Sequence, residues 1–439
     1  MSAVETWIQH SHAQAERLPG AKLPWLLATR NRALERFAEL GWPTNKLENW
    51  RHTSLAMLEQ QEFVLSGVDN KDFAADAVAK LRQGEDGGHW LVFVDGHFAP
   101  TLSEIGTLPS GAVIGTLAGT LAQHPERIEA LYGAPEEGES PAALNAALAT
   151  DGAYIELARG VAIEEPIHLV FVGGVSEATQ MLRNFIVAGD AAQATVVEHY
   201  IGRDGATTLT NTVTRVRAGK DANITHVKLQ QEAPQAFHLA AIDAVQARGA
   251  HFASHSLSFG ARLARNDIGT RLEGEGCDAL LNGLFHVDGK RHVDHHTRLD
   301  HAFPRGTSRE FYRGILDGNA RGVFTGRILV APGAVKTDAE QRSDNLLLSR
   351  LAEADARPEL EIYNDDVKCA HGATVGQIDE DSLFYLRSRG LDEAHARNLL
   401  IYAFAAEVLG RIGMASLRRR AEAAVRARIP GGDLLEATA

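Results

Sequence analysis

Three glycines in the middle of the chain, Gly189, Gly219 and Gly249, recur at a constant interval of about 30 residues, and a strand-like run follows each of them. The region around them, from about Tyr154 to Gln377, consists of short β-branched or alternating runs that are broken by Gly, Ala, Asp and Asn, without a convincing long helix. Strands and turns that repeat without intervening helices are typical of a solenoid, in which each coil buries the apolar face of its neighbour. The spacing therefore favours a parallel β-helix, and the alternative is a β-sandwich in which the spacing is coincidental.

Helical patterns precede this region. In "LPWLLATRNRALERFAEL" apolar residues recur at roughly helical spacing before Gly41 and Pro43 end the pattern, namely Leu26, Leu27, Leu34, Phe37 and Ala38. A strand-like "HWLVFVDG" and a helical "AALNAALA" follow, and between them "GAPEEGESP" from Gly133 predicts a surface loop. We therefore expect a helical and mixed N-terminal domain over residues 1–150.

Helical patterns also follow the repeat. The stretch "LDEAHARNLLIYAFAAEVLGRI" places apolar residues on one stripe, at Ala396, Leu399, Leu400, Ala403, Phe404 and Leu409. A second helix is predicted in "SLRRRAEAAVRARI", with apolar positions at Leu417, Ala421, Ala424 and Val425. Its arginines are expected to form a solvated face, with an acidic partner as the alternative. The repeat is thus predicted to span residues 151–378, and a C-terminal helical domain residues 379–439.

Composition limits the classes of function. The 439 residues carry 44 basic and 57 acidic side chains, a formal charge of −13, which argues against binding to nucleic acid or to an anionic membrane. No apolar run approaches the roughly 18 residues of a membrane span, and the first residues lack the pattern of a signal peptide, so we expect a cytoplasmic protein. Two cysteines, Cys277 and Cys369, are too few for a disulfide framework, which suits a reducing compartment.

Motifs for nucleotide chemistry are missing or lack their context. "GEGCDA", from Gly274 to Ala279, fits the Gly-x-Gly-x-x-Gly/Ala pattern, but that motif must follow an apolar strand and open a helix, and neither flanks it. The chain has no Gly-x-x-x-x-Gly-Lys-Ser/Thr loop, no Gly-x-Ser-x-Gly elbow and no His-Glu-x-x-His pattern. We therefore expect no ATPase site in this chain.

The stretch "FHVDGKRHVDHHTRLDH" contains five closely spaced histidines: His286, His292, His295, His296 and His301. If the stretch is extended, its side chains alternate between two faces, so that His292, Asp294 and His296 share one face. Imidazole and carboxylate groups at this spacing could hold a metal ion. The alternative is that these histidines have structural or interface roles.

The second motif is Cys369-Ala370-His371 within "DVKCAHGATVGQID". In an extended strand Cys369 and His371 point to the same side, with Cα atoms about 6.6 Å apart, so both could approach one ion or cluster. A zinc or iron–sulfur site needs about four ligands, and the chain has one other cysteine. The motif is therefore interpreted as a partial ligand set that faces another protein, with Cys369 as a buried small hydrophobe as the alternative.

The stretch "LEIYNDDVKCAHGATVGQIDEDSLFYLRSRGL", with "KTDAEQRSDNLLLS" and "HVDHHT" before it, resembles the SufB/SufD family of iron–sulfur cluster assembly proteins, most specifically from Lys336 to Leu391. Within that family the chain is similar to the shorter, cysteine-poor member. The resemblance implies a right-handed parallel β-helix core that is flanked by N-terminal and C-terminal helical domains, in agreement with the repeat. A polysaccharide-cleaving β-helix enzyme is disfavoured because such enzymes usually carry a secretory signal.

The resemblance also implies a function. It predicts a non-catalytic scaffold that pairs with SufB through the β-helices, binds the ATPase SufC through its C-terminal helices and shares a transient iron–sulfur cluster with SufB. By match of the Cys-x-His motif, His371 and Cys369 would be partial cluster ligands at the SufB interface. Within 392–412, Leu400 and Phe404 are predicted SufC anchors; the alternative is that both simply cap the β-helix.

Two further expectations complete this interpretation. Without SufB, a homodimer through the edge of the β-helix is expected, because an unpaired solenoid edge invites strand pairing. The rival function is a stand-alone metal-binding β-helix enzyme that uses His292, Asp294 and His296.

Overall fold

A computed structural model describes residues 3–65, 71–85, 87–133 and 139–432, so most of the predicted loop over 133–141 lies outside the described residues. Helices and short strands alternate in the first part. The helices are α1 Ala3–Gln14, α2 Pro24–Leu40, α3 Ala56–Glu59, α4 Lys71–Arg82, α5 Leu117–Gln123, α6 Pro125–Tyr132 and α7 Ser140–Leu148, with a 3₁₀ turn at Glu48–Trp50. The strands are β1 His89–Val94, β2 His97–Phe98 and β3 Ala112–Thr116. The predicted helix in "LPWLLATRNRALERFAEL" is α2, the predicted "AALNAALA" helix is α7, and the predicted "HWLVFVDG" strand is β1.

From Ala153 to Gly376 the chain forms strands that are joined by turns. They are β4 Ala153–Leu157, β5 Ile167–Gly173, β6 Thr179–Ala188, β7 Gln193–Gly202, β8 Leu209–Ala218, β9 Asn223–Gln231, β10 Phe237–Gln246, β11 His251–Ser258, β12 Leu263–Leu272, β13 Asp278–Val287, β14 His292–His301, β15 Thr307–Leu316, β16 Arg321–Val330, β17 Asp338–Leu347, β18 Glu353–Ile362 and β19 Lys368–Gly376. Three helices follow: α8 Glu380–Ser388, α9 Glu393–Leu409 and α10 Ala415–Arg426.

Successive strands alternate between two parallel sheets. The ten-stranded sheet has the order β19-β17-β15-β13-β11-β9-β7-β5-β1-β2, and the nine-stranded sheet has the order β18-β16-β14-β12-β10-β8-β6-β4-β3. Each coil therefore contributes one strand to each sheet. The fold is the predicted parallel β-helix with helices at both ends of the chain, and the β-sandwich alternative is wrong. Strands β1–β3, which belong to the predicted N-terminal domain, extend both sheets.

The spacing of Gly189 and Gly219 has a steric cause. Thr179 pairs with Leu209 at the same interval along the chain, and a Cβ atom on Gly219 would lie 2.7 Å from the carbonyl carbon of Gly189 one coil below. Glycine fits the corner where the backbones of these two coils meet. The next coil has Ala247 at the equivalent position, because Ala218 pairs with Gln246, and Gly249 lies two residues further on. Coil length varies elsewhere, because Phe237 pairs with Leu263 across a shorter interval.

Apolar side chains fill the space between the two sheets, which we call the solenoid interior. It includes Leu91, Phe93, Ile155, Phe171, Ile186, Val216, Ile224, Ile242, Ile268, Leu281, Leu299, Phe324 and Ile328. The outer face of the nine-stranded sheet packs against α2 and α7 through residues such as Phe185, Leu209 and Phe237. The outer face of the ten-stranded sheet packs against α9 and α10. Both sheets are therefore covered by helices on part of their outer surface, as apolar outer positions require.

Two details of the helices differ from the sequence pattern. Leu27, included in the predicted apolar stripe of α2, is 45% exposed, whereas Arg30 on the buried face extends to the carbonyl oxygen of Ala149. In α10 the four predicted apolar positions are all buried. Among the described residues, no helix is long and apolar enough to cross a membrane.

Candidate functional site

The solenoid has one open end, formed by β18 and β19. Each is the last strand of its sheet, and no further strand in the described part of the chain pairs with either. No residue of β18 or β19 is buried, in contrast to the strands that precede them. Apolar side chains are exposed at this end, including Leu351 at 66%, Tyr363 at 61% and Val375 at 50%. An exposed strand edge with apolar neighbours is a surface on which another chain can add strands.

Cys369 and His371 lie on β19 and point into this open end. Cys369 pairs in register with Ala339, and His371 with Gln341, and both partners are buried in the solenoid interior. In-register residues of parallel strands project to the same face, so Cys369 and His371 share the inward face, as the extended-strand interpretation predicted. Cys369 is half-buried against the interior, while His371 is exposed.

The electrostatic surroundings of Cys369 keep its thiol protonated. Burial raises the pKa of the Cys369 thiol, and the nearby Asp338 carboxylate acts in the same direction. The thiolate is the form that binds metals, so Cys369 needs a cation or a metal from outside the chain before it can act as a ligand. Its partial burial also agrees with the packing alternative, and its role as a ligand stays a prediction.

Two residues that were not predicted as site residues lie behind His371 on the same inward face. Glu310 on β15 pairs in register with Gln341 on β17, which in turn pairs with His371. The Gln341 side-chain amide donates a hydrogen bond to Glu310, and both side chains are buried. The repeat contained a signal for Gln341, because Gln341 precedes His371 by the same number of residues that separates Gly189 from Gly219.

The histidine-rich stretch forms β14. His292, Asp294 and His296 share the outward face, as predicted, beneath the N-terminal segment around Thr53. Asp294 is fully buried and accepts hydrogen bonds from Thr53 and from Arg265 Nη1, the latter at 2.7 Å. His296 Nε2 lies 3.3 Å from the other carboxylate oxygen. Burial alone would raise the pKa of Asp294, but Arg265 and His296 hold it well below its usual range.

These contacts pair the Asp294 carboxylate with Arg265 in a structural role. Arg265 also stacks over the Trp50 ring at 4.0 Å and donates to the Asn49 carbonyl oxygen, so the pair ties the N-terminal segment to the solenoid. Over the described ranges of the chain, no group of three or more His, Cys, Asp or Glu residues is arranged to hold a metal ion. The arrangement favours structural histidines, and metal binding by His292, Asp294 and His296 stays a prediction without geometric support.

The remaining histidines of the stretch are buried individually. His295 points into the solenoid interior near Ser256, and His301 Nε2 lies 2.9 Å from Ser308 Oγ. Burial lowers the pKa of His286 to about 3, the pKa of His295 to about 3 and that of His301 to about 4, so all three are neutral at physiological pH. Cys277 lies in the turn between β12 and β13, where the GEGCDA match has no helix beside it.

The C-terminal helices lie against the ten-stranded sheet. The buried face of α9 consists of Ala396, Asn398, Ile401, Ala405, Val408 and Leu409. The predicted stripe is therefore displaced: Ala403 is exposed, and Leu400 and Phe404 are half-buried at its border. The Arg313 guanidinium lies 4.4 Å above the Phe404 ring and binds the adjacent Glu407, which fixes this border to β15.

Helix α8 carries the most exposed aromatic residue of the described chain. Phe384 is 72% exposed and its neighbour Tyr385 is 54% exposed. Tyr385, Leu386 and Leu400 line a shallow surface cavity of about 430 Å³ together with Asp379, Asp381 and Ser382. Leu400 thus belongs to an accessible apolar surface that α8 and α9 share. The two aromatic residues were not predicted as part of a binding surface, although they are adjacent in "SLFYL".

Comparison with known proteins gives consistent matches over most of the chain. Residues 171–404 match the family described as "SUF system FeS cluster assembly, SufBD core domain", and residues 1–169 match "SufBD protein N-terminal region". The chain is 34% identical to the iron–sulfur cluster assembly protein SufD of Escherichia coli, over 91% of this chain and 92% of that protein. It is 32% identical to an iron–sulfur cluster assembly SufBD family protein of Synechocystis, over 90% and 89% respectively. It is 27% identical to SufD of Bacillus subtilis, over 90% and 92%.

Proposed function

Because the chain belongs to the SufBD family of iron–sulfur cluster assembly proteins, we propose that it is a SufD-like scaffold subunit that helps to build a nascent cluster at an interface with SufB. The observation that carries the proposal is the position of His371 and Cys369 on the inward face of the last strand, whose outer edge has no partner in the described part of the chain. Two ligand side chains at the border of a docking edge form half of a site. A second chain that adds its strands there supplies the other half.

Pairing with SufB uses the edges of β18 and β19. These edges present unpaired backbone groups next to exposed apolar side chains, including Tyr363 and Val375. Backbone hydrogen bonds across the junction would continue both sheets from one solenoid into the next. In the absence of SufB, a second copy of this chain can occupy the same edge, which supports the expected homodimer.

At this junction His371 offers an imidazole nitrogen to iron, and Cys369 becomes a ligand after its thiol loses a proton. The iron–sulfur cluster is the cargo of the complex and is shared with SufB, which contributes the larger part of the ligands. The raised pKa of Cys369 makes it the conditional ligand of the two. A cytoplasmic location, with its reducing conditions, is part of the same proposal.

Binding of the SufC ATPase is assigned to the C-terminal helices. The exposed Phe384 and Tyr385 of α8 and the half-buried Leu400 form an accessible apolar surface of the kind that binds a folded partner, and the half-buried Phe404 lies at the border of α9. The chain itself carries no phosphate-binding loop, so ATP hydrolysis belongs to SufC. Arg313 links the Phe404 border to β15, and movement of the helices by SufC would therefore be transmitted to the solenoid.

Anaerobic co-purification with the cognate SufB and SufC tests the proposal. Iron and sulfide are measured in complexes that contain the wild-type chain, His371→Ala or Cys369→Ala, with the exposed His251→Ala as a matched control on β11. We expect all complexes to assemble, and His371→Ala to lose most of its cluster while the control retains it. Equal cluster content in all four complexes would mean that the contribution of this chain is architectural.

A further inference from the structure

We propose that Gln341, held in place by Glu310, positions His371 by accepting a hydrogen bond from one imidazole N–H, so that the other ring nitrogen faces the iron. The inference rests on the proposed role of His371 and adds two residues to that site. Neither belongs to the Cys-x-His motif, and neither is exposed. Both are positioning residues, because they act on the cargo through His371.

The register of the ten-stranded sheet brings the three side chains into one column. Glu310, Gln341 and His371 occupy equivalent inward positions on β15, β17 and β19. Neighbouring strands of a sheet lie about 4.8 Å apart, so the Gln341 side chain stands directly beside that of His371. The column runs from the solenoid interior to its open end, and His371 is the first of the three that a partner chain meets.

The hydrogen bonds of Gln341 are incomplete in a way that points towards His371. Its amide nitrogen donates to Glu310 Oε2, which leaves the carbonyl oxygen Oε1 as the free acceptor. Gln341 is only 1% exposed, and its Oε1 atom is buried without a hydrogen-bond partner among the described residues. A buried acceptor without a donor is costly, and His371 is the neighbouring side chain on the open side that has N–H groups to donate.

Glu310 fixes the direction of the amide. Because its Oε2 accepts from the Gln341 nitrogen, the Gln341 oxygen must point elsewhere. Burial raises the pKa of Glu310 to about 7, so a large part of the population is neutral near physiological pH and no full charge is enclosed in the interior. In either protonation state Oε2 can accept the amide hydrogen bond, and the orientation of Gln341 is kept.

The chemistry of metal-bound histidine explains why this matters. An imidazole that binds a metal through one nitrogen usually donates its other N–H to a carbonyl or carboxylate, which fixes the tautomer and the orientation of the ring. His371 is exposed on an edge strand, where its ring can rotate freely without such a contact. Gln341 Oε1 is the acceptor that the fold provides.

The test uses the complete complex with SufB and SufC and measures its iron and sulfide at limiting Fe²⁺. Gln341→Met keeps the length of the side chain but removes the acceptor, and we expect the affinity for iron to fall about 10-fold. The exchanged variant Glu310→Gln/Gln341→Glu restores a donor at position 310 and an acceptor at position 341, and it should recover the affinity. Gln246→Met is the matched control, because Gln246 is a buried glutamine of the interior that lies far from the open end.

The outcomes separate this inference from the function on which it rests. If His371→Ala loses the cluster while Gln341→Met binds iron like the wild type, the positioning role is wrong and the proposed function stands. If His371→Ala keeps its cluster, both the positioning role of Gln341 and the proposed function of His371 are wrong. Loss in Gln341→Met without recovery in the exchanged variant assigns Gln341 to packing alone and also overturns the inference.

A second measurement does not depend on assembly. ¹⁵N labelling of the histidine rings in the full isolated chain reports the tautomer of His371, which is assigned by comparison with His371→Asn. If Gln341→Met does not assemble, Glu310→Met, which removes the acceptor that holds the Gln341 amide, is expected to change the tautomer ratio of His371. An unchanged ratio would overturn the inference.

Discussion

Glu310 is a carboxylic acid enclosed between two sheets, and its ionisation makes the stability of the fold depend on pH. Its pKa is raised from 4.5 to about 7, so the unfolded chain ionises first as the pH rises. Stability is therefore unaffected below about pH 4.5, falls between about pH 4.5 and 7, and is lowest above that range. The full loss is about 3 kcal/mol, at about 1.4 kcal/mol for each pH unit between the two pKa values.

Glu310→Gln removes this dependence, because an amide does not titrate. We expect the variant to gain up to about 3 kcal/mol over the wild type between pH 5 and pH 8, and urea unfolding at both pH values measures the difference. All other titrating groups are common to the two proteins and cancel. Parallel stability curves for the two proteins would show that Glu310 is already ionised at pH 5 or has moved to solvent.

The Arg265–Asp294 pair makes the opposite prediction, since its charges are matched and buried. Arg265→Met leaves the Asp294 carboxylate enclosed without its partner, and we expect a loss of about 3 to 5 kcal/mol in the free energy of unfolding. The exposed pair of Arg305 and Glu275 is the control, because Arg305→Met should cost less than about 1 kcal/mol. Equal effects in chemical unfolding would contradict the structural role assigned to the buried pair.

For individual residues, the sequence predicted the face to which a side chain points better than it predicted the residues that the side chain contacts. The alternation of side chains placed Cys369 with His371 and His292 with Asp294 and His296, since it depends only on strand geometry. The partner of Asp294 is Arg265 from the neighbouring coil, together with Thr53 from the N-terminal segment. Contacts between coils depend on the pairing register of their strands. The sequence indicates this register only where a residue type recurs at equivalent positions.

Helix α8 supports a prediction about one element. Phe384 and Tyr385 are exposed, so their replacement by alanine removes no core packing and should leave the melting temperature unchanged. If α8 forms part of the SufC surface, the double alanine variant should weaken SufC binding by at least about 2 kcal/mol, because exposed aromatic residues are common hot spots. Calorimetric titration of the full chain with SufC measures this effect.

The matched control for α8 is Leu40→Ala, an exposed apolar residue at the end of α2 in the N-terminal part. Its SufC affinity should equal that of the wild type. Unchanged affinity in the α8 variant would restrict the SufC surface to the Leu400 and Phe404 border of α9. A drop in the control as well would point to a general loss of folded protein.

Helix α9 shows why the buried face of a helix can be predicted wrongly from its apolar residues. "NLLIYAFAAEVL" is apolar around most of its circumference, so the spacing alone does not define which side is buried. The outer face of β13 and β15 selects Ile401, Ala405 and Val408, and it leaves Ala403 outside. In α10, where arginines occupy the other side, the apolar positions were predicted correctly.

At the scale of the molecule, the repeat was the part of the fold that the sequence made most accessible. Gly189 and Gly219 mark a corner at which the backbones of successive coils touch, whereas Gly249 continues the interval without occupying that corner. The coils differ in length and shorten from β8 onward, since Leu209 pairs with Phe237 and Phe237 pairs with Leu263, so the interval of the first coils no longer connects equivalent positions. The participation of β1–β3 in the sheets was not predicted, because these strands lie among helices and two of the three are short.

The open end predicts the behaviour of the isolated chain. We expect a homodimer in light scattering, formed through β18 and β19, and Val375→Lys at the exposed edge should shift it towards monomer because it introduces like charges across a symmetric contact. Val113→Lys, at a residue of similar class on β3, is the control and should remain dimeric. A wild-type monomer at all concentrations, or a dimer that Val375→Lys does not affect, would place the contact elsewhere.

The two ends of the solenoid are not equivalent, and this asymmetry limits what the molecule can build. At the other end both sheets finish in antiparallel strands, β2 and β3, which come from the N-terminal part. A stack of coils with two free ends could polymerise without limit, as amyloid fibrils do. With one end finished, growth through the open end would stop after a single addition, and the product would be a closed pair with one junction.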